Sequence, residues 1–135
     1  YYLHSGVVPG PQGRSHDSIP TYRCFTAADG IDVAVTANTE RMWRGLCEVL
    51  GVDELAADPR FETLGARHRN RAELEPLLEQ AFLERPADEW VELLTTAGVP
   101  VAPVNTLDRA LADAQVVHRE MVVEMTRPDG SDAVR

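Results

Sequence analysis

The sequence predicts an α+β fold, a small antiparallel sheet with helices packed on it. Three observations predict it. Two short β-rich runs, Tyr22 to Phe25 and Ile31 to Val35, flank the dipeptide Asp29-Gly30, which favours the tight turn of a hairpin. A series of amphipathic stripes at helical spacing follows, with capping residues and Gly or Pro as punctuation. A late extended stretch, Val99 to Val104, carries two prolines, as an edge strand tolerates. Strands that come first, with helices after them, point to segregated α+β layers.

The elements follow in order. Gly6, Pro9, Gly10, Pro11, Gly13, Ser15, Asp17, Ser18 and Pro20 make residues 1–20 an entry loop. In the second β run Ile31, Val33 and Val35 alternate with Asp32 and Ala34, so one face is buried and the other open. Asn38 or Thr39 caps a helix from about Glu40 to Leu50, which Gly51 stops. Met42, Leu46, Val49 and Leu50 line its inner face, with Trp43 and Cys47 beside them. A helical turn from Asp53 to Ala57 ends at Asp58-Pro59, because proline disfavours helix in the residue before it.

Asn70 caps a helix through about Glu84. Its stripe is Leu74, Leu77, Leu78, Ala81 and Phe82, and Pro76 should kink or restart it. Pro86 to Ala97 is the next helix, with Asp88 and Glu89 at its positive end and Trp90, Leu93 and Leu94 facing inward. Thr106 caps a fourth helix through about Ala112, and Asp113 caps a short fifth that ends near Glu120. Met121 to Met125 reads as a strand, Arg127 to Gly130 as a tight turn, and Ala133-Val134 as the start of a return strand. The domain proper is therefore expected at 21–125, with a return segment at 126–135.

The chain has 135 residues, 44% hydrophobic and 26% charged, which is enough for one folded domain and argues against disorder. Its formal charge is −9, and all of its basic residues are arginine. An acidic chain without a basic run is a poor nucleic-acid binder and lacks the patch that seats proteins on anionic membranes. No apolar run approaches the roughly 20 residues that span a bilayer. Cys24 and Cys47 read as reduced thiols, so the expected location is cytoplasmic. The chain opens at Tyr1 without methionine and stops just past a turn signal, which leads us to expect part of a longer protein.

Chemistry is sparse. His4, His16, His68 and His118 have no partners at ligand spacing, and the cysteines form no C-x-x-C, so no metal site is expected. Cys24 on a strand and Cys47 on a helix read as small packed residues, and Trp43 and Trp90 as core anchors. Asp29 and Asp58 read as turn residues, Glu40 and Glu48 as solvated. No Gly-x-Ser-x-Gly, P-loop or dinucleotide fingerprint is present. The residues give no acid–base pair. Gly10 and Gly13 are open to two readings, a plain linker or a flexible loop over a pocket.

The order of motifs adds more. Pro9-Gly10-Pro11-Gln12-Gly13 is followed by His16, Pro20-Thr21-Tyr22 and Phe25 through Gly30. Then come Ala37-Asn38, Trp43, Leu46-Cys47, Leu50-Gly51, Asp58-Pro59-Arg60-Phe61, Arg67, Asn70-Arg71 and Leu74. Glu89-Trp90, Leu94, Ala97-Gly98-Val99-Pro100 and Pro103-Val104 close the series. Over about Gly6 to Met125 this resembles the small domain of the family III CoA-transferases, also called the CaiB/BaiF family.

The resemblance implies an enzyme that moves CoA from an acyl-CoA thioester to a carboxylic acid. An aspartate of a large domain, absent from this chain, attacks the thioester to form a mixed anhydride. It also implies an interlocked homodimer. No catalytic residue carries over to this chain, and no cofactor is expected on it beyond the CoA thioester as substrate. A glycine-rich loop that closes over the site corresponds to Pro9 through Gly13, which makes Gly10, Gln12 and Gly13 the expected substrate-facing residues. The loop is less glycine-rich than the oxalate-type pattern. Two alternatives stand beside this. One is an α-methylacyl-CoA racemase, whose family carries a glutamate where Thr39 aligns, one residue before Glu40. The other is a non-catalytic dimerisation or binding module.

Overall fold

The structure is a computed structural model that describes residues 2–8, 10–123 and 125. It divides into two compact units, residues 1–104 and 105–135.

The first unit opens with a single helical turn, α1 (Tyr2–Ser5), where the sequence predicts loop throughout. The hairpin follows as expected: β1 (Tyr22–Thr26) pairs antiparallel with β2 (Asp32–Thr36), and Thr26 stands opposite Asp32 at the turn end. Gly30 takes a φ of 78°, and its N–H donates to the Ala27 carbonyl. That left-handed geometry is open to glycine at no steric cost. The Asp29 carboxylate accepts from the Ile31 N–H at 3.2 Å, the local bond that makes Asp a turn former.

Helix α2 (Glu40–Leu50) is capped by Thr39, whose hydroxyl accepts from the Met42 N–H, and ends at Gly51 with a φ of 70°. The turn α3 (Asp53–Ala57) ends at Asp58, as the following proline requires. Next comes α4 (Leu64–Arg69), which the sequence pattern does not predict. It is short, and its buried side is carried by Ala66 and Arg67 rather than by an apolar stripe.

Helix α5 (Arg71–Phe82) corrects three expectations. It runs unbroken through Pro76, because Leu74 and Leu78 on either side are fully buried and packing outweighs local propensity. Asn70 makes no capping bond; its amide donates instead to the Arg60 and Ala66 carbonyls and joins α4 to α5. Leu77 is exposed, since it lies on the flank of a stripe that only Leu74, Leu78, Ala81 and Phe82 occupy. In α6 (Ala87–Thr96) Trp90 and Leu94 are buried, but Leu93 is on the flank and exposed for the same reason. The α6 N-terminus receives Asp29 from the hairpin turn, whose second carboxylate oxygen accepts from the Ala87 N–H.

The last strand, β3 (Val101–Pro103), pairs antiparallel with β2 and leaves the sheet order β1-β2-β3. As an edge strand it accommodates Pro103, which has no N–H to give. Phe25, Val33 and Val35 project from one sheet face into a core shared with α2, α5 and α6. Phe82 is central there. It stacks on Phe25 at 4.4 Å, meets Trp90 edge-on at 5.4 Å, and its carbonyl accepts from the Trp90 indole N–H. Each such ring pair adds about 1 kcal/mol beyond area burial.

The second unit holds α7 (Leu107–Leu111) and α8 (Ala114–His118). Asp113 caps α8 as expected, accepting from the Gln115 and Val116 N–H groups. Thr106 stands at the N-cap of α7 as expected but makes no side-chain capping bond; its hydroxyl serves the Asp108 carboxylate and helps hold that carboxyl below its ordinary value. Helix α8 closes with Glu120 at a φ of 51°, while Met121 N–H donates back to the Val116 carbonyl. That left-handed closure turns the chain out of the helix. Met121 to Val123 then form no strand, contrary to the expectation of one over Met121 to Met125. Glu124, the turn expected at Arg127 to Gly130 and the return strand at Ala133-Val134 lie outside the described residues.

Candidate functional site

The sheet has two unlike faces. Residues 23, 25, 33 and 35 turn to the core, so Tyr22, Cys24, Thr26, Asp32, Ala34, Thr36 and Ala102 share the other face. Cys24, Ala34 and Ala102 stand side by side across the three strands, a row of small side chains. The entry loop runs along the β1 edge. Ser15 pairs with Arg23, the Cys24 N–H donates to the Arg14 carbonyl, and the His16 N–H donates to the Tyr22 carbonyl. His16 stacks on Tyr22 at 5.4 Å, and its Nδ1 accepts from the Ser18 N–H. Further along, Arg71 on α5 donates to the Asp17 carbonyl.

Arg14 is the strongest tie. Its guanidinium donates to Asp32 Oδ2 at 2.8 Å, to Thr26 Oγ1 at 3.2 Å and to the Cys24 carbonyl at 3.3 Å. The Thr26 hydroxyl in turn donates to Asp32 Oδ1 at 2.7 Å. A cavity of about 310 Å³ opens beside this cluster, lined by Arg14, Thr26, Glu79 and Leu83.

Gly10, Gln12 and Gly13, the expected substrate-facing residues, lie together on the exposed tip just before Arg14. The Gln12 amide donates to the Gly10 carbonyl at 3.1 Å, and the Ser15 hydroxyl donates to the Gln12 carbonyl. Gly13 has a φ of 66° and open space where a side chain would stand. No bond from the tip to a helix or strand is seen among the described residues.

Cys24 is a free thiol of intermediate exposure, whereas several other chemically competent groups are committed to structure. Cys47 is buried, and burial pushes its thiol up to about 12, so it carries no thiolate near neutrality. Glu40 is half exposed, in keeping with a solvated residue, but it is also paired. Its carboxylate accepts from both terminal nitrogens of Arg67 at 3.0 Å and from the Leu64 N–H. Arg67 has no exposed surface, sits over the Trp43 ring at 5.0 Å, and also donates to the Phe61 and Glu62 carbonyls. Its hydrogen bonds hold the Glu40 carboxyl below its ordinary value despite partial desolvation. Asp58 accepts from the Arg60 backbone and guanidinium and is held low by them. Among the described residues no cluster of three or more His, Cys, Asp or Glu is placed to hold a metal ion. None of their helices is long and apolar enough to cross a membrane.

Sequence reasoning missed two things here, Arg14 with its Thr26–Asp32 pair, and the Glu40–Arg67 pair. The hairpin register was available as a signal for Thr26 opposite Asp32. Nothing local marks Arg14 or Arg67, whose partners lie far off in sequence.

The second unit contributes an open cleft of about 1070 Å³, lined by Leu111, Val116, Val117, Glu120, Met121, Val122 and Val123. Its lining is apolar apart from Glu120.

The family model described as CoA-transferase family III matches residues 1–135. An acyl-CoA transferase of Fusarium pseudograminearum is 34% identical over 124 residues, covering 92% of this chain and 27% of its own length. The succinyl-CoA:glutarate CoA-transferase of Homo sapiens is 33% identical over 116 residues, 86% of this chain and 26% of that protein. The crystal structure of a CaiB/BaiF family protein from Brucella suis superposes with a TM-score of 0.82 at 35% identity, covering 96% of this chain and 33% of that one. The chain thus spans between a quarter and a third of the length of these relatives. With the whole of its sequence matched and its α+β fold shared with that neighbour, this chain belongs to CoA-transferase family III.

Proposed function

We propose that this chain is the small domain of an enzyme that transfers CoA from an acyl-CoA thioester to a carboxylic acid, and that it supplies a wall and a flap rather than the nucleophile. The observation that carries the reading is the family match over residues 1–135, and it is supported by Glu40 and Cys47, whose side chains are taken up by the Arg67 pair and by burial. The reactive carboxylate is then an aspartate outside this chain. It attacks the thioester carbonyl, releases the CoA thiolate and forms a mixed anhydride; the thiolate attacks the aspartyl carbonyl, expels the donor acid as its carboxylate and leaves an enzyme-bound CoA thioester, from which the acceptor acid takes CoA by the same two steps in reverse. Gly10, Gln12 and Gly13 face the bound intermediate, where glycines permit close backbone approach. The working assembly is an interlocked homodimer in the cytoplasm.

The relatives' names sharpen the acid. They include succinyl-CoA:glutarate, succinyl-CoA–D-citramalate and succinyl-CoA:mesaconate CoA-transferases, all with dicarboxylic acids. We assign this chain a donor and acceptor of that class. The racemase alternative gains no support from Glu40, the carboxylate nearest the position it requires, because two bonds from buried Arg67 occupy it.

The test is CoA transfer from succinyl-CoA to glutarate by the protein in which this segment is joined to an upstream part like that of its relatives. Formation of glutaryl-CoA supports the reading. Deuterium uptake next to the thioester of a branched acyl-CoA, without any acceptor acid, would move it to the racemase.

A further inference from the structure

The entry loop changes character between two adjacent residues. Through Gly13 the tip bonds, among the described residues, only to itself and to Ser15. From Arg14 onward both main chain and side chain are held: the Arg14 carbonyl accepts from the Cys24 N–H, and its guanidinium reaches β1 and β2 together. Gly13, with its positive φ and open surroundings, sits at the junction. A chain held on one side of a glycine and free on the other turns about that glycine.

The clamp is poorly placed to matter for stability. Arg14 is half exposed, and Asp32 keeps about a quarter of its side-chain surface. Exposed pairs of this kind add little to folding. It is well placed for geometry. Asp32 is itself oriented by Thr26, so the guanidinium meets a fixed acceptor, and the planar fork of arginine fixes direction as well as distance.

We propose that Arg14 is a positioning residue: gripped by Asp32, Thr26 and the Cys24 carbonyl, it anchors the base of the Gly10–Gly13 tip so that the tip swings about Gly13 over bound substrate. This rests on the reading of the tip as substrate-facing in a CoA-transferase. Loss of the side-chain anchor loosens the base of the tip, so the closed position is reached less often.

Two experiments test it on the joined protein. In steady-state CoA transfer, Arg14→Gln and Asp32→Asn each lower kcat/KM for the acid by about tenfold, with kcat and KM both changed, as displaced loops do. Arg14→Lys keeps the Asp32 pair, loses the fork to Thr26 and the Cys24 carbonyl, and falls between. The double variant Arg14→Gln/Asp32→Asn is no worse than either single one. In limited trypsin digestion the Arg14–Ser15 bond is cut about fivefold faster in Asp32→Asn, the factor expected for losing an exposed ion pair. Unchanged kcat and KM in these variants of an active enzyme would overturn the anchor and leave the functional reading standing. If the unaltered protein transfers no CoA, the functional reading fails, and digestion decides the anchor alone: equal cleavage in Asp32→Asn and the parent overturns it.

Discussion

Arg67 and Arg14 each grip a carboxylate, one inside the domain and one on its surface. Around Arg67 the guanidinium is fully buried among Trp43, Phe61 and the Glu40 carboxylate, and it ties the start of α2 to the chain between α3 and α4. Around Arg14 the same chemistry lies half in water across the hairpin. Desolvating a guanidinium costs several kcal/mol, and that is offset only when its donors find fixed acceptors, so removing a buried partner leaves the others stranded. The exposed pair has water as a substitute. The first grip therefore decides whether the domain folds, and the second where a loop rests.

The largest expected effect follows from the buried side. Arg67→Ala should lower the unfolding free energy in urea by about 3–5 kcal/mol. A loss below about 1 kcal/mol would erase the distinction, because exposed pairs already give that much. Next comes Asp29, which bonds both its own turn and the first N–H of α6. Asp29→Ala should cost about 1 kcal/mol in the same titration, the usual worth of a helix cap. No change would mean that the hairpin turn does not hold α6.

Glu40 gives the comparison a pH signature. Its carboxyl is held below the ordinary value of 4.5, first by the Arg67 hydrogen bonds, with burial opposing. A group whose folded pKa is depressed stabilises the fold above its unfolded pKa and loses that contribution as pH falls through the folded value. Stability should therefore fall as the solution is acidified below about 4.5, and Glu40→Gln should fall less steeply there. Asp58, held below its ordinary value of 3.8 by Arg60, adds a slope of the same sign at lower pH, so part of the slope remains in the variant. Identical slopes for parent and Glu40→Gln would contradict the assignment. The smallest effect belongs to the surface grip: Asp32→Asn should shift stability by no more than about 1 kcal/mol. A larger loss would make Arg14 a structural residue like Arg67.

Local chemistry made much of the fold legible. Asp29-Gly30 with the alternation of Ile31, Val33 and Val35 marks the hairpin, and Thr39 with Gly51 brackets α2, because each acts within a few residues. What stayed hidden depends on distance. Helix α4 buries an arginine whose acceptor lies 27 residues away, and a stripe-based reading passes over it. Leu77 and Leu93 fit the helical period yet face outward, since neighbours cover only a narrow band of α5 and α6. Pro76 obeys its packing rather than its propensity. The family pattern supplies the expectation at Gly10, Gln12 and Gly13, whereas the tie at Arg14 needed the 18-residue span to Asp32 that only the fold closes.

The central claim is that this chain frames a reaction whose nucleophile lies elsewhere. Its most direct test is CoA transfer from succinyl-CoA to glutarate, measured for residues 1–135 alone and for the protein joined to an upstream segment like that of its relatives. The account predicts no glutaryl-CoA from the chain alone and steady formation by the joined protein. Turnover by residues 1–135 alone would contradict it.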